Sequence, residues 1–143
     1  MLVLQIYHNI PINLGEKSIY KDYLFKNCIP QKDYGDEQIN TLMDVLKEII
    51  AYMPDIISSN IDQALKENNE CLAFDSTYIE HSERNWYIMK RWIWSKDSIE
   101  VLIMRENFIE IFQAWQQYQK NKPNFIIISR DGNYYSISSA ESV

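Results

Sequence analysis

The sequence predicts a single α+β domain, residues 1–143, built around a largely antiparallel sheet with the element order β-α-α-β-β-β-α-β-β. Short stretches of alternating apolar and polar residues, near both ends of the chain, have the period of half-buried strands. Elsewhere apolar residues recur every three or four positions, which is the spacing of one helix face. Strands and helices that are grouped rather than strictly alternating are typical of the α+β class.

The N-terminal part combines one clear strand with a mixed stretch. Residues 2–8 alternate between two faces and are predicted to form a strand. Residues 9–36 contain proline and glycine and have no single period. Within this stretch, Ser18–Lys26 is predicted to form a short helix, because Ile19 and Tyr23 belong to a cluster with helical spacing.

Two helices are predicted to follow. The first covers residues 37–53, with Asp36 as its N-cap and Pro54 at its end. A second helix is expected over residues 55–68. The apolar stripe of the first helix consists of Ile39, Leu42, Met43, Leu46, Ile49, Ile50 and Met53.

The second half is predicted to begin with three antiparallel strands. They are residues 71–79, 85–94 and 99–104, joined by polar turns at 80–84 and 95–98. The middle strand carries apolar residues on both faces, so it lies centrally in the sheet or leaves one face as an exposed aromatic platform.

A helix and a hairpin complete the chain. Residues 106–120 have helical spacing, with Phe108 and Trp115 on the inward face. Asp131-Gly132 is a strong signal for a two-residue hairpin turn. The register counted back from this turn pairs Ile128 with Tyr135 and Ile126 with Ile137.

Negative charge is concentrated in the middle of the chain. Residues 31–83 contain twelve carboxylates and three lysines, whereas the whole chain has a net charge of −6. A region of one sign attracts cationic partners and accelerates their encounter. Acidic residues also keep small proteins soluble, which is the alternative explanation for each of them individually.

Residues suited to catalysis or to binding of phosphate are sparse. Neither histidine, His8 or His81, lies near a cysteine in sequence, and the three isolated glycines form no phosphate loop. Lysine and arginine do not cluster as nucleic-acid binding requires. We therefore predict no enzymatic activity, no metal or cofactor and no nucleic-acid partner. Cys28 and Cys71 are either free thiols or one disulfide.

Targeting and membrane-spanning segments are not evident in the sequence. The apolar N-terminal run lacks a basic start and is interrupted at Gln5. No apolar stretch approaches the roughly 18 residues that span a bilayer. We expect a cytoplasmic protein without a membrane partner.

Carboxylates accompanied by tyrosine are the sharpest candidate site. The carboxylate accepts charge-assisted hydrogen bonds from Arg or Lys, and the ring offers a face to the cation. Glu37, Thr41, Asp44 and Glu48 follow one another along the first helix opposite its apolar stripe, and Tyr52 continues this line. An ordinary solvated helix face is the alternative. The predicted partner-binding residues are Asp33, Tyr34, Asp36, Glu37, Asp44, Glu48, Glu80 and Glu83.

The pattern of elements in the C-terminal third resembles that of a known group of proteins. The run from Trp92 to Trp115, followed by Pro123-Asn-Phe-Ile-Ile-Ile, has a strand, helix, strand pattern. It resembles immunity proteins of bacterial contact-dependent growth inhibition and related polymorphic toxin systems. The resemblance implies a stoichiometric inhibitor whose partner is a cognate toxin domain, often a basic nuclease, and whose carboxylates stand where phosphates would bind.

Two other classes of function stay open. A structural or adaptor protein would dock through the aromatic face of the middle strand, which carries Trp86, Trp92 and Trp94. A metal-dependent hydrolase would instead assemble carboxylates that are distant in sequence.

Overall fold

The computed structural model describes residues 2–11, 20–27, 36–92 and 100–142. The elements are β1 (Leu2–Pro11), β2 (Tyr20–Asn27), α1 (Glu37–Tyr52), α2 (Ile61–Glu67), β3 (Cys71–Ala73), β4 (Thr77–Ser82), β5 (Trp86–Arg91), β6 (Val101–Met104), α3 (Arg105–Asn121), β7 (Phe125–Asp131) and β8 (Tyr134–Ala140). The α+β class is confirmed. The strands form two four-stranded antiparallel sheets, β2-β1-β7-β8 and β3-β4-β5-β6, rather than a single one.

The first sheet contains a strand where the sequence predicted a helix. β2 pairs with β1 over eight positions, from Leu4 opposite Asn27 to Pro11 opposite Tyr20. The helix predicted over Ser18–Lys26 is therefore wrong. The long edge of β1 offers β2 a hydrogen-bonding partner, and this tertiary pairing outweighs a local helical spacing.

Helix α1 begins at the predicted cap and packs against β1. The carboxylate of Asp36 accepts a hydrogen bond of 2.9 Å from the backbone N–H of Ile39. Gln5, which interrupts the apolar run of β1, is fully buried beneath the start of this helix. Its amide donates to Tyr7 Oη at 2.8 Å and to Asn40 Oδ1 at 3.0 Å. Because these buried polar groups satisfy one another, they stabilise the contact between β1 and α1 instead of opposing it.

The segment after α1 is more broken than predicted. A 3₁₀ turn at Ser58–Asn60 precedes α2, so the second helix is shorter than residues 55–68. The predicted strand 71–79 is two strands, β3 and β4, separated by a turn at 74–76. The β4–β5 turn lies at 83–85 rather than at 80–84. The predicted turn at 95–98 lies outside the described residues.

The C-terminal hairpin is confirmed, but its turn lies one residue later than predicted. Asp131 pairs with Tyr134, and Gly132 adopts a φ of +60° at the first central position. Ile128 consequently faces Ile137 rather than Tyr135. The register differs by two residues, which is one full period of a strand, so the predicted buried face is correct.

One hydrophobic core joins the two sheets. Its buried residues come from β1, β7 and β8, from all three helices and from β3 to β6. Helix α3 confirms the prediction for residues 106–120, and it buries Phe108, Phe112 and Trp115 in this core. Among the described residues, no helix has both the length and the apolar character that crossing a membrane requires.

Candidate functional site

The predicted partner-binding residues do not form one continuous patch. Asp33 and Tyr34 lie outside the described residues. Asp36 lies at the first sheet, and its carboxylate is held by Arg130 of β7, with Nε–Oδ1 and Nη2–Oδ2 distances of 2.9 and 2.7 Å. Burial alone would raise the pKa of Asp36, but the hydrogen bonds from Arg130 and from the Ile39 N–H lower it. Asp36 therefore joins α1 to β7 and is not free for a partner.

Asp44 is paired within the chain as well. Its Oδ2 accepts from Arg91 Nε at 2.9 Å and from Arg91 Nη2 at 2.8 Å. Burial raises the pKa of Asp44, although the Arg91 guanidinium acts in the opposite direction. Thr41, one turn earlier on the same line, is only 2 % exposed. The prediction that Thr41 lies opposite the buried face of α1 is wrong, because α1 contacts both sheets and leaves little of its circumference free.

Glu48 fastens α1 to the turn between β3 and β4. Its two carboxylate oxygens accept from the backbone N–H of Ser76 at 3.1 and 3.0 Å, and the Ser76 hydroxyl donates to the same group. Because Arg91 ends β5 and Ser76 precedes β4, Asp44 and Glu48 connect α1 to one end of the second sheet. Their negative charges thus have partners inside the molecule.

The remaining predicted residues lie apart from this end. Glu37 is half-buried in the first turn of α1. Glu80 stands on the outer face of the second sheet, opposite Ile88. Glu83 is exposed on the β4–β5 turn, at the other end of β4 from Ser76. Six residues of β4 separate these ends by roughly 20 Å at about 3.3 Å per residue.

A cleft beside the β3–β4 turn brings acid and aromatic side chains together. It has a volume of about 470 Å³ and is open to solvent. Tyr52, which is 58 % exposed, stacks on Phe74 with 6.2 Å between ring centroids and 19° between ring planes. Asp75 is exposed at the rim. The lining residues are Tyr52, Met53, Asn68, Cys71, Leu72, Ala73, Phe74 and Asp75.

The backbone adds negative potential to this cleft. Met53 is the C-cap of α1 and Asn68 the C-cap of α2, so the C-terminal ends of two helices border the cleft. A helix C-terminus carries a partial negative charge that favours cations. The last turn of α1 contains no basic residue, and that of α2 contains Lys66. Cys71 is a free, partly exposed thiol whose pKa is raised by burial and then by Glu80; Cys28 lies outside the described residues.

The sequence pattern indicated only part of this cleft. Tyr52 was expected to extend the acidic line of α1, and its exposure agrees with that position. No local signal marks Phe74, because its partner ring belongs to another element. The cleft arises from the break between β3 and β4, which the sequence showed as one uninterrupted strand.

The outer face of the second sheet is the surface that the adaptor alternative requires. Trp92 is 51 % exposed and packs on Tyr78 at 4.7 Å between ring centroids. Its indole N–H donates to the Phe74 carbonyl at 3.1 Å. Trp86, on the same face, is half-buried, and Trp94 lies outside the described residues. This face is aromatic, but the Trp92 ring is already fixed by contacts within the chain.

Within the described residues, no three His, Cys, Asp or Glu side chains are arranged to hold a metal ion. The hydrolase alternative therefore has no metal site in this part of the chain. No protein-family model, curated protein sequence or solved structure matches this chain.

Proposed function

We propose that this chain is an immunity protein that acts in the cytoplasm, where it binds and neutralises a cognate toxin domain with a basic surface. The cleft formed by Tyr52, Phe74 and Asp75 supports this proposal most directly. It combines an exposed carboxylate, a stacked pair of rings and two helix C-termini in one solvent-open recess.

The chemistry of this recess fits an arginine or lysine side chain of the partner. A guanidinium that lies against the Tyr52 ring gains a cation–π contact, and Asp75 supplies a charge-assisted hydrogen bond. The ends of α1 and α2 contribute further negative potential. In a nuclease toxin, the same cationic side chains would otherwise contact phosphate. The inhibitor would then compete directly with the nucleic acid.

A residue that tests the proposal must not also hold the fold together, and Asp44 and Glu48 do not meet this condition. Replacement of Asp44 or Glu48 would break contacts with Arg91 or Ser76, so weaker binding would also follow from a disturbed fold. Asp75 is exposed, and no ion pair joins it to another described residue. Glu80 and Glu83 stay secondary candidates because they lie on other surfaces.

The experiment compares Asp75→Lys with Glu110→Lys, a change of equal charge at an exposed position of α3. Proteins from the native host are captured on wild-type protein at low and at high salt, identified, and expressed with and without this chain. We expect a basic partner that arrests growth unless this chain is present. Asp75→Lys should weaken its binding roughly tenfold at low salt, and Glu110→Lys should leave it nearly unchanged. A partner that is harmless to growth, or a toxin bound equally by both variants, would contradict the proposal.

The adaptor function is the second candidate, and the exposed Trp92 favours it. Binding through this aromatic face would depend little on salt, because burial of apolar area would provide most of the affinity. Trp92→Ala would then abolish capture of the partner, whereas Asp75→Lys would not.

A further inference from the structure

Strand β8 is an edge strand of the first sheet, and the side chain of Asn107 binds one residue on its outer side. β8 is the last strand in the order β2-β1-β7-β8. Asn107, in the first turn of α3, accepts from the Tyr135 N–H at 2.9 Å and donates to the Tyr135 carbonyl at 2.8 Å. Asn107 is buried, with only 5 % of the residue exposed. It therefore takes the place that a neighbouring strand would occupy at this one residue.

The hairpin geometry shows which other backbone groups point to the same edge. In an antiparallel pair, residues alternately direct their N–H and C=O groups toward and away from the partner strand. Since both groups of Tyr135 point away from β7, those of Ile137 and Ser139 do so as well. No hydrogen bond from another described residue reaches the backbone of Ile137 or Ser139 on this side. Among the described residues, two adjacent pairing positions on the edge of β8 are thus without a backbone partner.

This edge lacks the features that usually prevent strand addition. Exposed edge strands are commonly short, charged or interrupted by proline. β3 has three residues and β6 has four, and β2 carries two lysines and an aspartate. β8 has seven residues, Tyr-Tyr-Ser-Ile-Ser-Ser-Ala, without charge, proline or glycine.

We propose that the free edge of β8 pairs antiparallel with β8 of a second copy of this chain, about a two-fold axis at Ser138. This register places Ile137 opposite Ser139 of the partner subunit and joins the two first sheets into one eight-stranded sheet. Ser138 then faces its own copy, and Ser136 faces Ala140 of the partner subunit. All these side chains are uncharged, and most are small, so the strand is complementary to itself.

Asn107 excludes registers of this pairing that are shifted toward the hairpin turn. A partner strand displaced by two residues toward the hairpin turn would need the N–H and C=O of Tyr135, which Asn107 already binds. The pairing centred on Ser138 uses only Ile137 and Ser139. This proposal is independent of the toxin partner, because β8 does not line the cleft of Tyr52 and Asp75.

Charge at the two-fold axis tests the pairing. Ser138→Lys puts two ammonium groups directly opposite each other, whereas Ser136→Lys, on the same exposed face, has an alanine opposite it. Sedimentation velocity is measured from low micromolar to near-millimolar concentration. We expect wild-type protein and Ser136→Lys to form a dimer as concentration rises, and Ser138→Lys and Ser138→Glu each to stay monomeric with an unchanged circular dichroism spectrum.

A mixture of the two charge variants completes the test. Ser138→Lys and Ser138→Glu should form a heterodimer, since opposite charges now meet across the axis. Wild-type protein that is monomeric over the whole concentration range would overturn the proposal. A dimer that survives in Ser138→Lys alone would also overturn it, because such a dimer would use another surface.

Discussion

Asp36 shows how much one carboxylate contributes when it serves two elements. It caps α1 through the Ile39 N–H and holds Arg130 of β7 with two hydrogen bonds. Both side chains of the ion pair are largely shielded, with 12 % of Asp36 and 20 % of Arg130 exposed. Removal of one partner of such a shielded pair is costly, because the other charge then stays desolvated and without its counter-charge.

Two substitutions of Asp36 separate these roles. Asp36→Asn keeps a good N-cap but leaves Arg130 without its counter-charge, and we expect a loss of roughly 2 kcal/mol in the free energy of unfolding. Asp36→Ala should lose about 1 kcal/mol more, the usual contribution of an N-cap. Urea unfolding at neutral pH measures both values. Glu37→Gln removes the same charge at the next residue, and a comparable loss there would contradict the assignment.

The pH dependence of this contribution has a definite sign. Because the pKa of Asp36 is lowered in the folded state, the unfolded chain binds its proton at higher pH. The stabilisation is complete above about pH 4, the ordinary value for aspartate, and is lost as the pH falls through the lower folded value. The difference between wild-type protein and Asp36→Asn should therefore shrink in acid.

Lys47 acts in the opposite direction. Burial lowers its pKa from the ordinary 10.5 to about 8, and the nearby Arg91 charge adds to the effect. Below pH 8 the folded state carries a desolvated ammonium group, which is a cost to stability. Between pH 8 and pH 10.5 the unfolded chain binds the extra proton, so this group makes stability rise with pH.

Lys47→Met should remove this cost. We expect an increase of roughly 1–3 kcal/mol in the free energy of unfolding at neutral pH, which disappears as the pH approaches the ordinary lysine value. Urea unfolding over the same pH range measures the difference between the two proteins. Lys66→Met, which removes the same charge at an exposed position of α2, is the control. A constant difference at every pH would refute the explanation.

Local sequence patterns reveal a helix cap but not its distant partner. The Asp36 cap was predictable because a cap is a local pattern before an apolar stripe. Its partner Arg130 was not, because the two are 94 positions apart and no local signal connects them. The burial of Gln5 belongs to the same class, since its partners Asn40 and Asp36 lie on another element.

Whether a helix or strand can be predicted depends on how many residues its periodic apolar pattern covers. α1 and α3 were predictable because each maintains one apolar face over four turns or more. β2 was not, because Tyr20 and Tyr23 satisfy a helical spacing over only a few residues. A short pattern is easily outweighed by a long edge such as that of β1, which pairs with all eight residues of β2.

The hairpin turn offers a test of backbone conformation alone. Gly132 has a φ of +60°, and a Cβ atom added there would meet no atom within 4 Å. Gly132→Ala should therefore cost about 1–2 kcal/mol through backbone strain and not through a clash. Thermal unfolding measures this loss. Asn133→Ala, in the same turn but without a positive φ, should be nearly neutral; equal losses in both variants would contradict the argument.

The net charge of a sequence segment does not give the charge of the surface that this segment forms in the folded protein. Arginines from the C-terminal half contact acids of the middle segment in three places, namely Asp36–Arg130, Asp44–Arg91 and Asp62–Arg105. Folding thus brings together charges that are separated in sequence, so these three carboxylates already have a counter-charge within the chain. Asp75, by contrast, lines the cleft and stays exposed.

The shared core predicts that the two sheets unfold together. Ile128 of β7 is fully buried, whereas its neighbour Ile127 is only half-buried. Ile128→Ala should cost roughly 2–4 kcal/mol as a core truncation, and Ile127→Ala distinctly less. All four tryptophans lie between residues 86 and 115, and the three that the structure describes, Trp86, Trp92 and Trp115, lie outside the strands of the first sheet. Their fluorescence therefore reports on the rest of the molecule.

In urea, the tryptophan midpoint of Ile128→Ala should fall as far as the midpoint followed by circular dichroism, because one cooperative core transmits the loss from β7 to α3 and the second sheet. A tryptophan midpoint equal to that of wild-type protein, together with a circular dichroism transition split into two steps, would mean that the sheets are separate folding units. The contacts of α1 with both sheets argue for a single transition: Gln5 and Tyr7 hold Asn40 on one side, and Arg91 holds Asp44 on the other.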